Sequence, residues 1–127
     1  MIDRVTNWVD GYRKAWLSND EADIRALFTD DAVYEYRPND DGALRGVDAI
    51  VAGWLENADG PDETTWEWEP IAEEGDVATI KGFTVYQDAD NRAEYDNLWV
   101  ITFAPDGRAS HFTEWYMERK KAEADTP

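Results

Sequence analysis

The N-terminal half of the chain places apolar side chains at helical spacing. A short helix is predicted over residues 21–28, with Asn19 or Asp20 at its N-cap. A further helix is predicted over 46–57, where apolar residues repeat in the same way and Asp48 lies in the first turn. The longest helix is predicted over 3–17, with one buried stripe formed by Val5, Trp8, Val9, Tyr12, Trp16 and Leu17.

The rest of the chain changes to the periodicity of strands. Residues 29–31 are predicted to form a turn, 32–36 a strand and 37–42 a loop. Gly75 and Gly107 lie in predicted hairpin turns between later strands. Helices followed by a run of antiparallel strands are typical of the α+β class. The later strands are predicted at 65–70, 77–87, 93–103 and 109–117.

Strand alternation assigns side chains to opposite faces of the predicted sheet. Trp66 and Trp68 share one face, whereas Glu67 and Glu69 share the other. The sequence leaves open whether the two tryptophans face the interior or a second subunit. Asn97, Trp99 and Ile101 alternate with three residues on the outer face, Leu98, Val100 and Thr102. This outer face is half apolar, which predicts a homodimer through the sheet.

The composition excludes several kinds of function. The 127 residues include no cysteine and one histidine, so disulfides, thiolate chemistry and a multi-histidine metal centre within one chain are excluded. That histidine, His111, has no close serine or cysteine to activate and is expected to be structural or on the surface. The net charge of −17 repels phosphate and anionic lipid, so neither nucleic acid nor a membrane is an expected partner.

The location of the protein is predicted from two further features. No apolar run approaches the ~18 residues that span a bilayer. Residues 1–4 lack the charged and then apolar layout of a secretory signal. We therefore predict a cytoplasmic protein.

Three motifs follow one another as they do in a known family. They are F-T-D-D-A-V at 28–33, R-G-V-D-A-I at 45–50 and D-G-R at 106–108. With the elements around them, they resemble the nuclear-transport-factor-2-like superfamily and, more narrowly, its SnoaL-like branch. The resemblance implies a single domain over 1–127, with a structured core at about 6–118 and a frayed tail at 120–127.

The resemblance also implies the architecture of a cystatin-like α+β roll. A curved antiparallel or mixed sheet wraps around the long N-terminal helix and leaves a cone-shaped cavity between them. Seven tryptophans, six tyrosines and four phenylalanines supply rings for a small-molecule pocket. No cofactor is expected. The predicted ligand-binding residues are Trp8, Trp16, Tyr34, Tyr36, Trp54, Trp68, Asn97, Trp99, Phe112 and Tyr116.

Related enzymes match this chain at some positions and differ at others. The steroid isomerases use a first-helix tyrosine as a donor, and Tyr12 has the matching spacing. Tyr36 occupies the position of their catalytic aspartate, and the neighbouring Glu35 points to the opposite face of the strand. The position of their second acid lies near Trp99 in this sequence. That activity is therefore not carried over. The Arg-x-Asp motif of limonene-epoxide hydrolases is matched only in part, by Arg-Ala-Glu at 92–94. Scytalone dehydratases need two histidines in the pocket, and this chain has one.

Glu114 is the predicted catalytic carboxylate. Strand alternation groups it with Phe112 and Tyr116, and the family register turns that face toward the cavity. Desolvation among aromatic rings raises the pKa of a carboxyl group and makes it a proton carrier near neutral pH. Tyr12 is predicted to steady a ligand oxygen. The structural alternatives place Glu114 at the cavity mouth or pair it with Arg37.

Three functions remain open at the level of sequence. The first is a cofactor-free acid/base enzyme, such as an isomerase, cyclase, dehydratase or hydrolase, acting on an apolar carbonyl or hydroxyl compound. The second is a non-catalytic ligand-binding or sensing protein with the same cavity. The third is an interaction module that uses the sheet face.

Overall fold

The helices and strands follow the predicted order. The computed structural model describes residues 3–37, 41–56, 64–88 and 91–119. Its helices are α1 (Arg4–Ser18), α2 (Glu21–Arg25) and α3 (Val47–Glu56). Its strands are β1 (Phe28–Glu35), β2 (Leu44–Arg45), β3 (Thr64–Glu74), β4 (Val77–Asp88), β5 (Asn91–Phe103) and β6 (Ala109–Glu118). The two-residue strand β2 was not predicted.

Helix α1 packs against the sheet through most of its predicted apolar stripe. It begins after Asp3, whose carboxylate accepts a hydrogen bond from the Thr6 N–H over 2.8 Å. It ends at Asn19, which adopts the left-handed conformation with φ 51°. The predicted burial of Leu17 is wrong, because its side chain is 41% exposed at the end of the helix. The buried residues are Val5, Trp8, Val9, Tyr12 and Ala15.

The strands form one curved mixed sheet. Their order is β2-β1-β6-β5-β4-β3, and β1 pairs with β6 in parallel whereas the other neighbours are antiparallel. The predicted α+β roll is confirmed. The concave face of the sheet and the helices enclose the hydrophobic core, which includes Phe28, Ile80, Trp99, Ile101 and Phe112.

The boundary between α2 and β1 differs from the sequence prediction. Residues 29–31 were predicted as a turn and Phe28 as helical, but all four lie in β1. Parallel pairing places Phe28 opposite Ala109, and a register shift follows before Val33. The pair of aspartates is exposed along this bulged strand. The pairs at Phe28 and Val33 lie on either side of Thr-Asp-Asp, so the strand continues through a segment whose local preference is for a turn.

The two tryptophans of β3 face the interior. Trp66 and Trp68 are partly buried and pack against the core, while Glu67 and Glu69 face solvent. Gly82 lies opposite Trp68 on β4, and a Cβ atom built at Gly82 would lie 2.2 Å from Cη2 of Trp66. Only glycine leaves room for the Trp66 ring at this position.

Some predicted segments fall outside the described residues. These are part of the loop at 37–42, the predicted last residue of the helix at 46–57 and the tail at 120–127. In the part of the chain that is described, no helix is both long and apolar enough to cross a membrane.

Candidate functional site

An inner cavity lies between α1, α3 and the concave face of the sheet. Its volume is about 160 Å³. Rings form most of its wall, and the polar groups include a carboxylate and two asparagine amides. The lining residues are Tyr12, Trp16, Asn19, Tyr34, Tyr36, Leu44, Ile50, Trp54, Thr84, Tyr86, Asn97, Trp99 and Glu114.

A wider outer pocket of about 650 Å³ continues from the inner cavity toward solvent. It is lined in addition by Ala93, Tyr95 and Tyr116. The two spaces share four side chains, which we call the neck: Tyr36, Tyr86, Asn97 and Glu114.

Three side chains form a hydrogen-bonded chain inside the cavity. Tyr12 from α1 lies 2.8 Å from Tyr34 of β1, oxygen to oxygen. The Tyr34 hydroxyl donates to Oε1 of Glu114 on β6 over 3.0 Å. The parallel pairing of β1 with β6, in which Tyr34 lies opposite Phe112, brings Tyr34 and Glu114 together. The carboxylate is thereby connected through one phenol to another.

The environment keeps both phenols protonated. Burial, and then the charge of Glu114, raises the pKa of Tyr12 well above its usual value of 10.0. The same two causes, in the same order, raise the pKa of Tyr34 well above 10.0. Near neutral pH both phenols therefore act as hydrogen-bond donors and acceptors.

A second polar pair lies on β4 and β5. Thr84 and Asn97 are buried, and the Thr84 hydroxyl donates to Oδ1 of Asn97 over 2.8 Å. Because Thr84 occupies the amide oxygen, the amide nitrogen is the hydrogen-bond donor of Asn97, a residue that lines the cavity. Asn97 pairs with Tyr116 while Trp99 pairs with Glu114, so Asn97 and Glu114 are diagonal neighbours on one face. An amide donor and a carboxylate thus flank the neck.

Tryptophans limit the size of the cavity. Trp66 stacks on Trp99 with ring centroids 4.8 Å apart and an interplanar angle of 20°. The buried indole nitrogens of both residues have no hydrogen-bond partner in the described part of the chain. On the opposite wall, the Trp54 indole donates to Oδ1 of Asn19 over 3.3 Å. These rings leave an interior about as large as a 150 Å³ cavity that binds one benzene molecule.

The sequence matches a model described as a SnoaL-like domain over residues 9–112. The chain belongs to the SnoaL-like domain family. The resemblance predicted from the three motifs is therefore confirmed. No curated protein sequence matches this SnoaL-like chain significantly.

Solved structures similar to this SnoaL-like domain share its fold at low sequence identity. An NTF-2-like protein of unknown function from Burkholderia xenovorans LB400 is 17% identical, with a TM-score of 0.67 over 94% of this chain and 87% of that chain. A Mycobacterium tuberculosis protein in complex with estradiol-17beta-hemisuccinate is 14% identical, with a TM-score of 0.69 over 89% and 93%. The epoxide hydrolase/cyclase-like enzyme SalBIII, described in pyran ring formation in polyether salinomycin, is 20% identical, with a TM-score of 0.69 over 87% and 88%.

The SnoaL-like fold brings most of the predicted site residues together. Tyr116 lines the outer pocket. Trp8 and Phe112 lie behind the Tyr12 ring in the core, with centroids 5.5 and 5.6 Å from it, and Trp68 packs against the core. None of these three is among the lining side chains of the two pockets. The predicted residues that do line the inner cavity are Tyr12, Trp16, Tyr34, Tyr36, Trp54, Asn97, Trp99 and Glu114.

Sequence reasoning missed several lining residues of this SnoaL-like domain. Thr84 and Tyr86 follow Gly82 at intervals of two on the concave face, so strand alternation could have identified them. Asn19 was considered only as a cap. Leu44 lies in the short strand β2, whose sequence carries no strand pattern.

A separate polar cluster lies on the convex face of the sheet. Nε2 of His111 lies 2.5 Å from Oε1 of Glu35, and the Thr113 hydroxyl donates to the same oxygen over 2.9 Å. Glu35 therefore points away from the cavity, as alternation predicted. In the described ranges, no group of three or more histidine, aspartate or glutamate side chains is placed to hold a metal ion.

Proposed function

We propose that this SnoaL-like protein binds a small, largely apolar molecule carrying a carbonyl or hydroxyl oxygen and transfers a proton on it through Glu114. The observation that carries the proposal is the chain from Tyr12 through Tyr34 to the carboxylate of Glu114 inside an aromatic cavity. A carboxylate held in such a site is a general base within reach of a ligand at the neck.

The charge on Glu114 sets the direction of the hydrogen bonds. An ionised carboxylate only accepts, so Tyr34 donates to it. Tyr34 then accepts the proton of Tyr12, because its own is already used. The Tyr12 proton is therefore directed at Tyr34 as long as Glu114 is ionised. Tyr12 becomes a donor toward the ligand when Glu114 carries a proton on Oε1, because the carboxyl then donates to Tyr34.

This coupling suits proton abstraction next to a carbonyl group. The C–H bond breaks, its electron pair moves into the enolate, and the proton is transferred to Glu114. Rotation of the protonated carboxyl then brings this proton to the oxygen facing Tyr34. The carboxyl donates to Tyr34, Tyr34 donates to Tyr12, and the Tyr12 hydroxyl donates to the new oxyanion. The Asn97 amide is a second donor at the neck. Return of the proton to another carbon gives an isomer.

The comparisons support a small-molecule ligand but not its identity. One similar protein is in complex with a steroid hemisuccinate, and another is an epoxide hydrolase/cyclase-like enzyme. The inner cavity of this chain is about the size of a single ring because Trp66 and Trp99 stack beside it. A larger ligand would extend through the neck into the outer pocket.

The proposal is tested in two steps. Native mass spectrometry of the gently purified protein identifies a retained molecule. That molecule is then incubated in D2O with wild type, Glu114→Gln and Glu67→Gln, and deuterium incorporation at carbon is measured. Glu67 is exposed on the convex face of the sheet, so E67Q makes the same charge change away from the cavity. We expect wild type and E67Q to catalyse exchange and E114Q to lose about 10²–10⁴-fold of the rate. Exchange that persists in E114Q contradicts the proposed role.

Binding without chemistry is the second candidate function. It is favoured by the hydrogen bonds that already join Tyr12, Tyr34 and Glu114 to one another. A retained molecule that exchanges no deuterium with the wild-type protein but stabilises it against heat would establish this alternative.

A further inference from the structure

The amide nitrogen of Asn97 is a donor in the wall of the inner cavity. Asn97 is 7% exposed and lines both pockets. Its Oδ1 accepts the Thr84 hydroxyl over 2.8 Å, which is the one hydrogen bond of this side chain in the described part of the chain. The enclosed nitrogens that lack a partner there are the indole nitrogens of Trp66 and Trp99. The Asn97 nitrogen is not among them, so a ligand in the cavity can reach it.

Thr84 determines which end of this amide faces the cavity. Its side chain is 2% exposed, and Oδ1 of Asn97 is the one acceptor of its hydroxyl among the described residues. If the amide turned by 180°, the Thr84 proton would lose that acceptor. A buried donor without an acceptor destabilises a folded protein, so the bond keeps Oδ1 on Thr84 and the nitrogen toward the ligand.

The Asn97 amide and the Tyr12 hydroxyl differ in when they can donate to a ligand. While Glu114 is ionised, Tyr34 donates to the carboxylate and Tyr12 donates to Tyr34. The amide hydrogens of Asn97 are available in either state of Glu114. Both donors lie beside Trp99, since the Tyr12 ring centroid is 4.4 Å from that of Trp99 and Asn97 precedes Trp99 on the same face of β5. The amide can therefore hold a ligand oxygen before proton transfer, and Tyr12 can join it afterwards.

We propose that Thr84 is a positioning residue, which through the Asn97 amide holds the carbonyl oxygen of the ligand and makes the site select a carbonyl over a hydroxyl group. This assignment rests on the proposed function, because the oxygen concerned belongs to the same ligand. A carbonyl oxygen only accepts, so it matches a fixed donor. A hydroxyl group accepts and donates, so it can bond to either end of an amide that is free to turn. Loss of the Thr84 hydroxyl therefore changes the selectivity of the site and not its affinity alone.

A matched pair of probes measures this selectivity. Cyclohexanone and cyclohexanol have the same ring, but only the alcohol can donate, and both suit a cavity of the size that binds benzene. Each is titrated into ¹⁵N-labelled protein, and the indole N–H resonances are followed. Trp16, Trp54 and Trp99 report from the inner cavity, whereas Trp115 is exposed on β6 and reports nonspecific binding. The measured quantity is the affinity for the ketone divided by the affinity for the alcohol.

Three variants separate positioning from a general loss of structure. Thr84→Val keeps the shape of the side chain and removes the hydroxyl, whereas Thr84→Ser keeps the hydroxyl. Thr113→Val is the control, because Thr113 is also buried and donates to a side chain, Glu35, on the convex face. We expect the affinity ratio to fall about 3–10-fold in T84V and to stay within about twofold of wild type in T84S and T113V. A structural loss alone would weaken both probes equally.

Several outcomes overturn the inference. They are an unchanged ratio in T84V, an equal fall in T113V, a fall in T84S as large as in T84V, shifts confined to Trp115, and no saturable binding of the ketone. If T84V does not fold, a Thr84→Val/Asn97→Leu double variant replaces both polar partners with apolar side chains and leaves neither unsatisfied. We expect the same fall there, and an unchanged ratio would again overturn the inference.

The inference and the proposed function can fail separately. An unchanged ratio in T84V, together with deuterium exchange that E114Q abolishes, contradicts the role of Thr84 and leaves the proposed function standing. A lowered ratio in T84V, together with exchange that persists in E114Q, supports the role of Thr84 and contradicts proton transfer through Glu114.

Discussion

At the residue scale, the site depends on which hydroxyl donates to which oxygen. The sequence indicated Tyr12 as a donor to the ligand, because its position in the first helix matches that of a catalytic tyrosine in related enzymes. In the structure its neighbour is Tyr34, which in turn donates to Glu114. A single half-buried carboxylate, when ionised, therefore determines the direction of both hydrogen bonds.

The two buried phenols make stability depend on pH in the alkaline range. Their pKa values are raised above 10.0 in the folded protein, so the stabilisation is fully present below about pH 10 and is lost as pH rises toward the folded values. We expect urea unfolding to show a steeper loss of stability above pH 10 in wild type than in a Tyr12→Phe/Tyr34→Phe double variant. Tyr116→Phe is the control, because Tyr116 is 57% exposed. Equal slopes in wild type and the double variant would contradict the effect of burial.

At the scale of elements, the wall of the cavity depends on contacts among three neighbouring strands. Trp66 of β3 lies over Gly82 of β4 and stacks on Trp99 of β5. Strands β3 and β5 thus supply the two stacked rings, and β4 supplies the glycine that leaves room for them. The alternation of Trp66 and Trp68 was evident in the sequence, but the direction of that face follows from Gly82, which admits the ring.

Gly82→Ala tests this contact. The added methyl group meets the Trp66 ring, so we expect a loss of about 1–3 kcal/mol in the free energy of unfolding, measured by urea denaturation. In a Trp66→Leu background the same substitution should cost much less, since the clashing ring is gone. Equal costs in the two backgrounds would show that the glycine is needed for its backbone alone.

At the scale of the whole molecule, the sequence predicts the fold better than the site. Helical and strand periodicity, together with three short motifs, are local signals and were sufficient for the α+β roll. The bond between Tyr34 and Glu114 joins residues 80 positions apart and depends on the parallel pairing of β1 with β6. No local pattern reports that pairing, and its contacts on either side of 29–31 carry β1 through the predicted turn.

The convex face of the sheet remains our predicted dimer interface. Trp115 and Met117 are 45% and 74% exposed on β6, beside the partly exposed Leu98 and Val100 of β5. We expect light scattering coupled to size exclusion to give the mass of a dimer for wild type and of a monomer for Trp115→Glu. Leu17→Glu, on α1, should remain dimeric, because this exposed residue lies away from the sheet. A monomeric wild-type protein would contradict the prediction.

The place of β6 in the sheet has a consequence for the order of assembly. This last strand lies between β1 and β5, so it joins the antiparallel meander β3-β4-β5 to the helices and the first two strands. Hairpins between neighbours in sequence connect β3 through β6, so we expect them to form before the pairing of β1 with β6, which closes a long loop. The bond between Tyr34 and Glu114 joins these two strands, so we expect the proposed site to be completed late in folding.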